Sequence, residues 1–197
     1  MPHWTNIPRA ALLVLLSTFI AAIVTFWLTQ SSPTKNFTRS LEPPATLQKL
    51  HWHPSPKNVP AVTFKDEDDQ DITLTRFLGR PVLLNLWATW CAPCIAEMPA
   101  LDQLQASLPE TSLTIIALSL DRGGLVDIAP FWEKTKLTSL KVYFDTTMSA
   151  GQTLSARGLP TTLLLNRKGE EVARIEGPVE WASPEAIGYF REIMDRL

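Results

Sequence analysis

Residues 82–94 join three signals in a short stretch: the apolar run Val82–Trp87 (VLLNLW), the link Ala88-Thr89-Trp90, and a Cys-x-x-Cys pair, Cys91-Ala92-Pro93-Cys94. A continuous apolar run of this length predicts a strand buried on both faces. After the cysteines, Ile95, Met98, Leu101, Leu104 and Leu108 recur at helical spacing. Cys91 therefore falls at the N-terminus of a helix. Unpaired N–H groups and the positive end of the helix dipole favour a thiolate there. Cys94 follows three residues later, about one turn, so its sulfur can reach back to close a disulfide. Pro93 is tolerated so early because its missing N–H would have no partner within the helix. In such an arrangement Cys91 attacks a partner disulfide and Cys94 resolves the mixed disulfide. A purely structural disulfide is the duller alternative, but so short a loop stabilises little. Half a zinc site is another, yet no second Cys-x-x-Cys exists.

The same reading extends along residues 59–197, taken as one domain. Ala61–Phe64 and Ile72–Leu74 predict a hairpin. The acidic run Asp66–Asp69 between them lacks the Gly and Glu that a calcium loop needs at its sixth and twelfth positions, so it reads as a solvated turn. Leu113–Leu120 predicts a second buried strand, Val126–Lys136 a helix with Pro130 near its first turn, Val142–Phe144 a third strand and Met148–Ala156 a short helix. Thr161–Leu165 and Val172–Ile175 flank Arg167-Lys168-Gly169-Glu170, a hairpin signal. Ser183-Pro184-Glu185 starts a last helix that runs to Leu197, with Ser as N-cap and Pro at N1. Strands alternating with helices imply an α/β fold with parallel crossovers, and the final hairpin makes the central sheet mixed.

Residues 10–28 carry nineteen residues without charge or proline. At about 1.5 Å per residue they span roughly 28 Å, close to a bilayer's hydrocarbon core. Trp4 and Trp27 sit near the two ends of the run, where aromatic residues prefer the interface. It is long for the core of a cleaved signal peptide, so a retained anchor is expected, with 1–9 as a cytoplasmic N-terminus. Residues 29–58, rich in proline, read as a tether. Residues 1–58 hold five Lys/Arg against one acid, net +4, and residues 59–197 hold thirteen against nineteen, net −6. The overall charge of −2 leaves no basic footprint for nucleic acid. His51 and His53 read as an exposed pair rather than a metal site.

Trp87-Ala88-Thr89-Trp90-Cys91-Ala92-Pro93-Cys94 resembles the active-site segment of thioredoxin-fold proteins, and Gly158-Leu159-Pro160-Thr161-Thr162 resembles their second signature, whose proline follows a cis peptide bond and faces the cysteines. Glu97-Met98-Pro99-Ala100-Leu101-Asp102 and Gly177–Ser183 are similar to the TlpA group of membrane-anchored thiol–disulfide reductases, related to ResA and CcmG. The resemblance implies a thioredoxin-like fold with an N-terminal hairpin extension and a site of Cys91, Cys94, Glu97 and Pro160. Trp90, Ala92, Pro93 and Leu159 would contact the client. Trp87 is expected in the core and Trp181 in packing. The only redox group implied is the Cys91–Cys94 disulfide, with no metal. Thioredoxins carry an Asp where Asn85 stands, six residues before Cys91; an amide cannot take up a proton. Glu97 matches a mechanistic Glu of the ResA-like relatives.

The function that follows is reduction of specific disulfides in extracytoplasmic clients, in cytochrome oxidase copper-centre assembly or cytochrome c maturation. Electrons would come from a DsbD- or CcdA-like transmembrane donor. The expected setting is a single-pass protein of the bacterial inner membrane, monomeric, with its domain in the periplasm. A copper chaperone on the same fold is the alternative; such proteins pair the cysteines with a distal His, and His3, His51 and His53, the chain's only histidines, all lie before residue 59. The Cys-x-x-Cys speaks against a peroxidase.

Overall fold

The computed structural model describes residues 42–110 and 112–197. Strand β4 (Val82–Trp87) is buried at all six positions, between parallel β5 (Thr114–Ser119) and antiparallel β7 (Thr161–Leu165). Side chains alternate between faces along a strand, so Val82, Leu84 and Leu86 point one way and Leu83, Asn85 and Trp87 the other. The first set enters an apolar cluster with Phe64, Phe77, Ile116, Leu118 and Leu163. The second faces helices α1 (Ala92–Ser107) and α2 (Leu125–Thr135): Asn85 bonds Glu97 of α1, and the Trp87 ring lies 5.3 Å from that of Phe131 in α2. Ala150 of the short helix α3 (Ser149–Thr153) belongs to the cluster on the opposite face.

Five more strands complete the sheet: β1 (His51–Lys57), β2 (Thr63–Asp66), β3 (Asp71–Thr73), β6 (Tyr143–Phe144) and β8 (Glu171–Glu176). Their order is β1-β8-β7-β4-β5-β6-β2-β3. The crossovers β4-α1-β5 and β5-α2-β6 join parallel neighbours, and β2–β3 and β7–β8 are antiparallel hairpins. This is the mixed α/β sheet with an early hairpin that the sequence predicts. The last helix, α4 (Pro184–Ile193), starts as expected, with the Ser183 hydroxyl accepting the Ala186 N–H. It stops at Ile193 in a 3₁₀ turn, Met194–Arg196, short of Leu197. Pro130 lies inside α2, past the first turn, because the helix begins at Leu125.

One boundary is corrected. The tether expected to reach residue 58 is folded structure from Pro43 onward, and Pro43–Leu197 form one compact unit. Ala45–Leu47 make a 3₁₀ turn that buries Leu47, and β1 pairs antiparallel with β8. The prolines conceal this because β1's partner lies more than a hundred residues later. The β1–β8 register is irregular between Trp52 and Lys57, where Pro54 and Pro56 sit. His53 is consequently not an exposed residue: its Nε2 lies 2.9 Å from Glu171 Oε1, and Arg174 adds two donors to the same carboxylate at 2.7 and 2.9 Å. The Trp52 indole donates to the Tyr189 hydroxyl at 2.9 Å. Residues 1–41, which carry the expected anchor 10–28, lie outside the described residues. Among the described residues no helix is long and apolar enough to cross a membrane.

Candidate active site

Strand β4 ends at Trp87, and Ala88, Thr89 and Trp90 lead to Cys91, the N-cap of α1. The backbone of Cys91 is extended, and its carbonyl accepts the N–H groups of Cys94 at 3.0 Å and Ile95 at 3.1 Å, closing the first helical turn. That turn brings the two Cα atoms to 5.2 Å, and the sulfurs form a disulfide. Cys91 is 6% exposed and Cys94 0%, so the outer sulfur belongs to Cys91. Ala92 and Pro93 are exposed beside it, and Trp90 is 64% exposed. A largely apolar rim therefore surrounds the disulfide.

The second signature comes to the same end of the sheet. Leu86 of β4 pairs with Thr161 of β7, which sets Pro160 just beyond the ladder. The Leu159–Pro160 bond is cis, as expected. The Pro160 carbonyl accepts the Gly177 N–H at 2.8 Å, while Leu159 is half-buried and packs on the core.

Glu97 lies one turn beyond Cys94 and is 5% exposed. Its Oε1 accepts the Asn85 amide at 2.9 Å, and its Oε2 accepts the Trp181 indole N–H at 3.1 Å and the Val179 N–H at 3.4 Å. Burial pushes the carboxyl above its usual range, against the pull of those three N–H donors and of the Lys49 ammonium. A proton on Glu97 is thereby held more tightly than on a free carboxyl. Asn85 also donates to Thr162 Oγ1 at 3.0 Å, while its own carbonyl oxygen has no partner. Next to this group, Pro93, Ala96 and Ala100 of α1 face Pro178, Val179 and Ala182 across a groove of about 480 Å³, with Glu97 in its wall.

Trp87 is core, as expected, and Trp90 is exposed beside Cys91. Trp181 does more than pack. Its ring lies 6.0 Å from that of Phe190, and its N–H holds Glu97. Asn85, unable to take up a proton, instead donates its amide to Glu97, and its position inside an apolar run is the sequence signal for such a buried donor. Sequence reasoning misses Asp121. It is an acid directly after a buried strand, and it grips Thr89. His51 and His53 stand on β1, three strands from β4 in the sheet order, or roughly 14 Å at strand spacing. They are not gathered with the dithiol.

A Cys-x-x-Cys disulfide at a helix N-cap, with a cis-proline at the same end of this sheet, marks a thioredoxin-like enzyme of thiol–disulfide exchange. The Redoxin family model matches residues 54–187, and the chain belongs to that family. Thiol-disulfide oxidoreductase ResA of Bacillus thuringiensis (strain Al Hakam) is 32% identical over 141 residues, covering 70% of this chain and 77% of ResA. ResA of Oceanobacillus iheyensis is 33% identical over 129 residues, with 66% and 65% covered. Among solved structures, StoA from Bacillus subtilis superposes with a TM-score of 0.55 at 22% identity, covering 71% of this chain and 98% of StoA. A thiol:disulfide interchange protein of the thioredoxin family from Chlorobium tepidum TLS gives 0.58 at 17% identity, covering 72% and 99%. The structural likenesses show the fold. With the curated relatives and the Cys91–Cys94 pair, they make the chain a thiol–disulfide oxidoreductase of the ResA type.

Proposed function

We propose that the protein reduces disulfides in specific client proteins on the outer face of a bacterial inner membrane, held there by residues 10–28. The observation that carries the direction of attack is the placement of Cys91: it caps the helix and holds the outer sulfur, while Cys94 is fully buried. The Cys91 thiolate attacks one client sulfur, forms a mixed disulfide and releases the other client sulfur as a thiolate. Cys94 gives up its proton and attacks Cys91. The Cys91–Cys94 disulfide closes, and the second client sulfur leaves. Two electrons pass to the client, whose thiolates take up two protons. Glu97 accepts the proton of Cys94, directly or through one water. Trp90, Ala92 and Pro93 form the contact surface, with Leu159 and Pro160 opposite.

A DsbD- or CcdA-like transmembrane donor restores the dithiol, and the protein acts as a monomer. The clients are apoproteins or assembly factors of cytochrome oxidase copper centres, or apocytochrome c. ResA similarity supports this reading. The test is a trap in cells: Cys94→Ser leaves Cys91 to hold its client as a mixed disulfide. Recovery of extracytoplasmic haem- or copper-protein precursors on Cys91 is expected. Recovery of cytosolic proteins alone would overturn both the location and the client class.

A further inference from the structure

Asp121 sits just past β5 and is 1% exposed. Among the described residues no salt bridge reaches it. Its two oxygens instead take three side-chain and backbone donors. Oδ2 accepts the Thr89 N–H at 2.9 Å and the Ser119 hydroxyl at 2.7 Å, and Oδ1 accepts the Thr89 hydroxyl at 2.7 Å. A carboxylate buried without a cation is costly and persists only when its hydrogen bonds are complete. Two of these three bonds end on one residue, Thr89, two positions before Cys91.

That segment has little else to hold it. At one end the Leu120 N–H donates to the Trp87 carbonyl at 2.9 Å, the last rung before β4 stops. At the other, Cys91 is fixed by the first turn of α1 and by its own N–H to the Ala88 carbonyl at 3.1 Å. The middle is gripped from β5 by Asp121 through both the backbone and the side chain of Thr89.

We infer that Asp121 is a positioning residue for disulfide exchange: its caged carboxylate fixes the Thr89 segment and thereby sets the presentation of Cys91. This rests on Cys91 being the attacking sulfur. The Thr89 N–H must meet an acceptor, and the two hydroxyls both donate to the carboxylate as it stands. Asparagine would remove the charge and turn an N–H₂ group toward a hydroxyl, which would have to redirect its own proton.

The fold supplies its own control. Asp145, at the end of the adjacent parallel strand β6, is also buried and caged by hydroxyls and N–H groups of Thr147, Ser149 and Ala150. It grips no residue of the Cys91 segment. The experiment measures the iodoacetamide alkylation rate of each cysteine against pH in the reduced full chain, together with urea midpoints. The chains are wild type, Asp121→Asn, Asp145→Asn, Thr89→Ser and Thr89→Val. Asp121→Asn is expected to change the Cys91 rate about tenfold and to displace its pH profile. Asp145→Asn should lower the midpoint comparably and leave the Cys91 profile in place. Thr89→Ser should match wild type and Thr89→Val should fall between. A Cys91 profile unmoved by Asp121→Asn, or moved equally by Asp145→Asn, overturns the inference. Preferential labelling of Cys94 in the wild type instead overturns the attacking role of Cys91.

Discussion

Asn85 and Glu97 meet across the β4–α1 interface at 2.9 Å, the amide of a buried strand residue donating to the carboxyl of a buried helix residue. The amide also reaches Thr162, whose hydroxyl can accept or donate. If Glu97 takes a proton, an amide flip presents the unpaired Asn85 oxygen to it, and the Thr162 hydroxyl can reverse its own bond. The pair can therefore serve either protonation state of Glu97 without moving the backbone.

Glu97→Gln tests this with a stability measurement whose sign follows from the raised carboxyl. A group whose proton is held more tightly in the fold contributes its stability below the ordinary value of 4.5, and loses it as pH rises through the folded value. Gln does not titrate. The stability of the wild type relative to Glu97→Gln should thus decline from pH 4 to pH 8, read by urea midpoints of the oxidised protein. Parallel curves would mean that Glu97 titrates as a free carboxyl. The resolving step, followed by stopped-flow Trp fluorescence, should slow on the order of 10²-fold in the variant.

Trp181→Phe keeps the ring against Phe190 and removes one donor that stabilises the charged Glu97. The Glu97 carboxyl should move further upward, and the pH midpoint of client reduction should rise with it. An unchanged midpoint would leave the indole N–H without influence on the reaction.

Trp90→Ala should leave the unfolding midpoint within error, since most of that side chain is in solvent. Client reduction should fall about tenfold, mainly through KM, because exposed aromatics beside a reactive group anchor partners. A stability loss without a KM change would return Trp90 to a packing role.

Arg174→Ala attacks the buried carboxylate on β8. Burial works against ionised Glu171, but the bonds from Arg174 and His53 outweigh it and hold the carboxyl below its usual range. Such a group contributes stability above its ordinary value of 4.5 and loses it as pH falls through the depressed folded value. Removing Arg174 should cost about 3 kcal/mol at pH 7, and less at pH 3. An equal cost at both pH values would show that the interaction is packing rather than charge.

The parts legible in the sequence are those whose signal is local. β4 and β7 match their expected limits because strands buried on both faces are written as apolar runs. The cysteines, the cis-proline and the Ser183 cap each announce themselves within a few residues. What stayed hidden depends on distant partners. Glu97 reads as a helix residue between Ala96 and Met98, and its donors come from Asn85, 12 positions earlier, and from Val179 and Trp181, 82 and 84 positions later. β1 reads as tether because its ladder partner, β8, lies more than a hundred residues later in the chain. Asp121 is an acid at a strand end until Thr89, 32 residues earlier, is seen to close on it.

The irregular stretch of β1 also governs how the molecule meets its own kind. β1 is an outermost strand of the sheet, and between Trp52 and Lys57 it spends five steps against two of β8. Pro54 and Pro56, lacking N–H groups, fall in that stretch. An outer strand so interrupted offers no continuous row of donors and acceptors for a further strand to copy, which is how natural sheets avoid stacking edge to edge into aggregates. The sheet's β1 flank is thereby closed to a further strand, and exchange of disulfides is left to the end of the sheet where Cys91 stands.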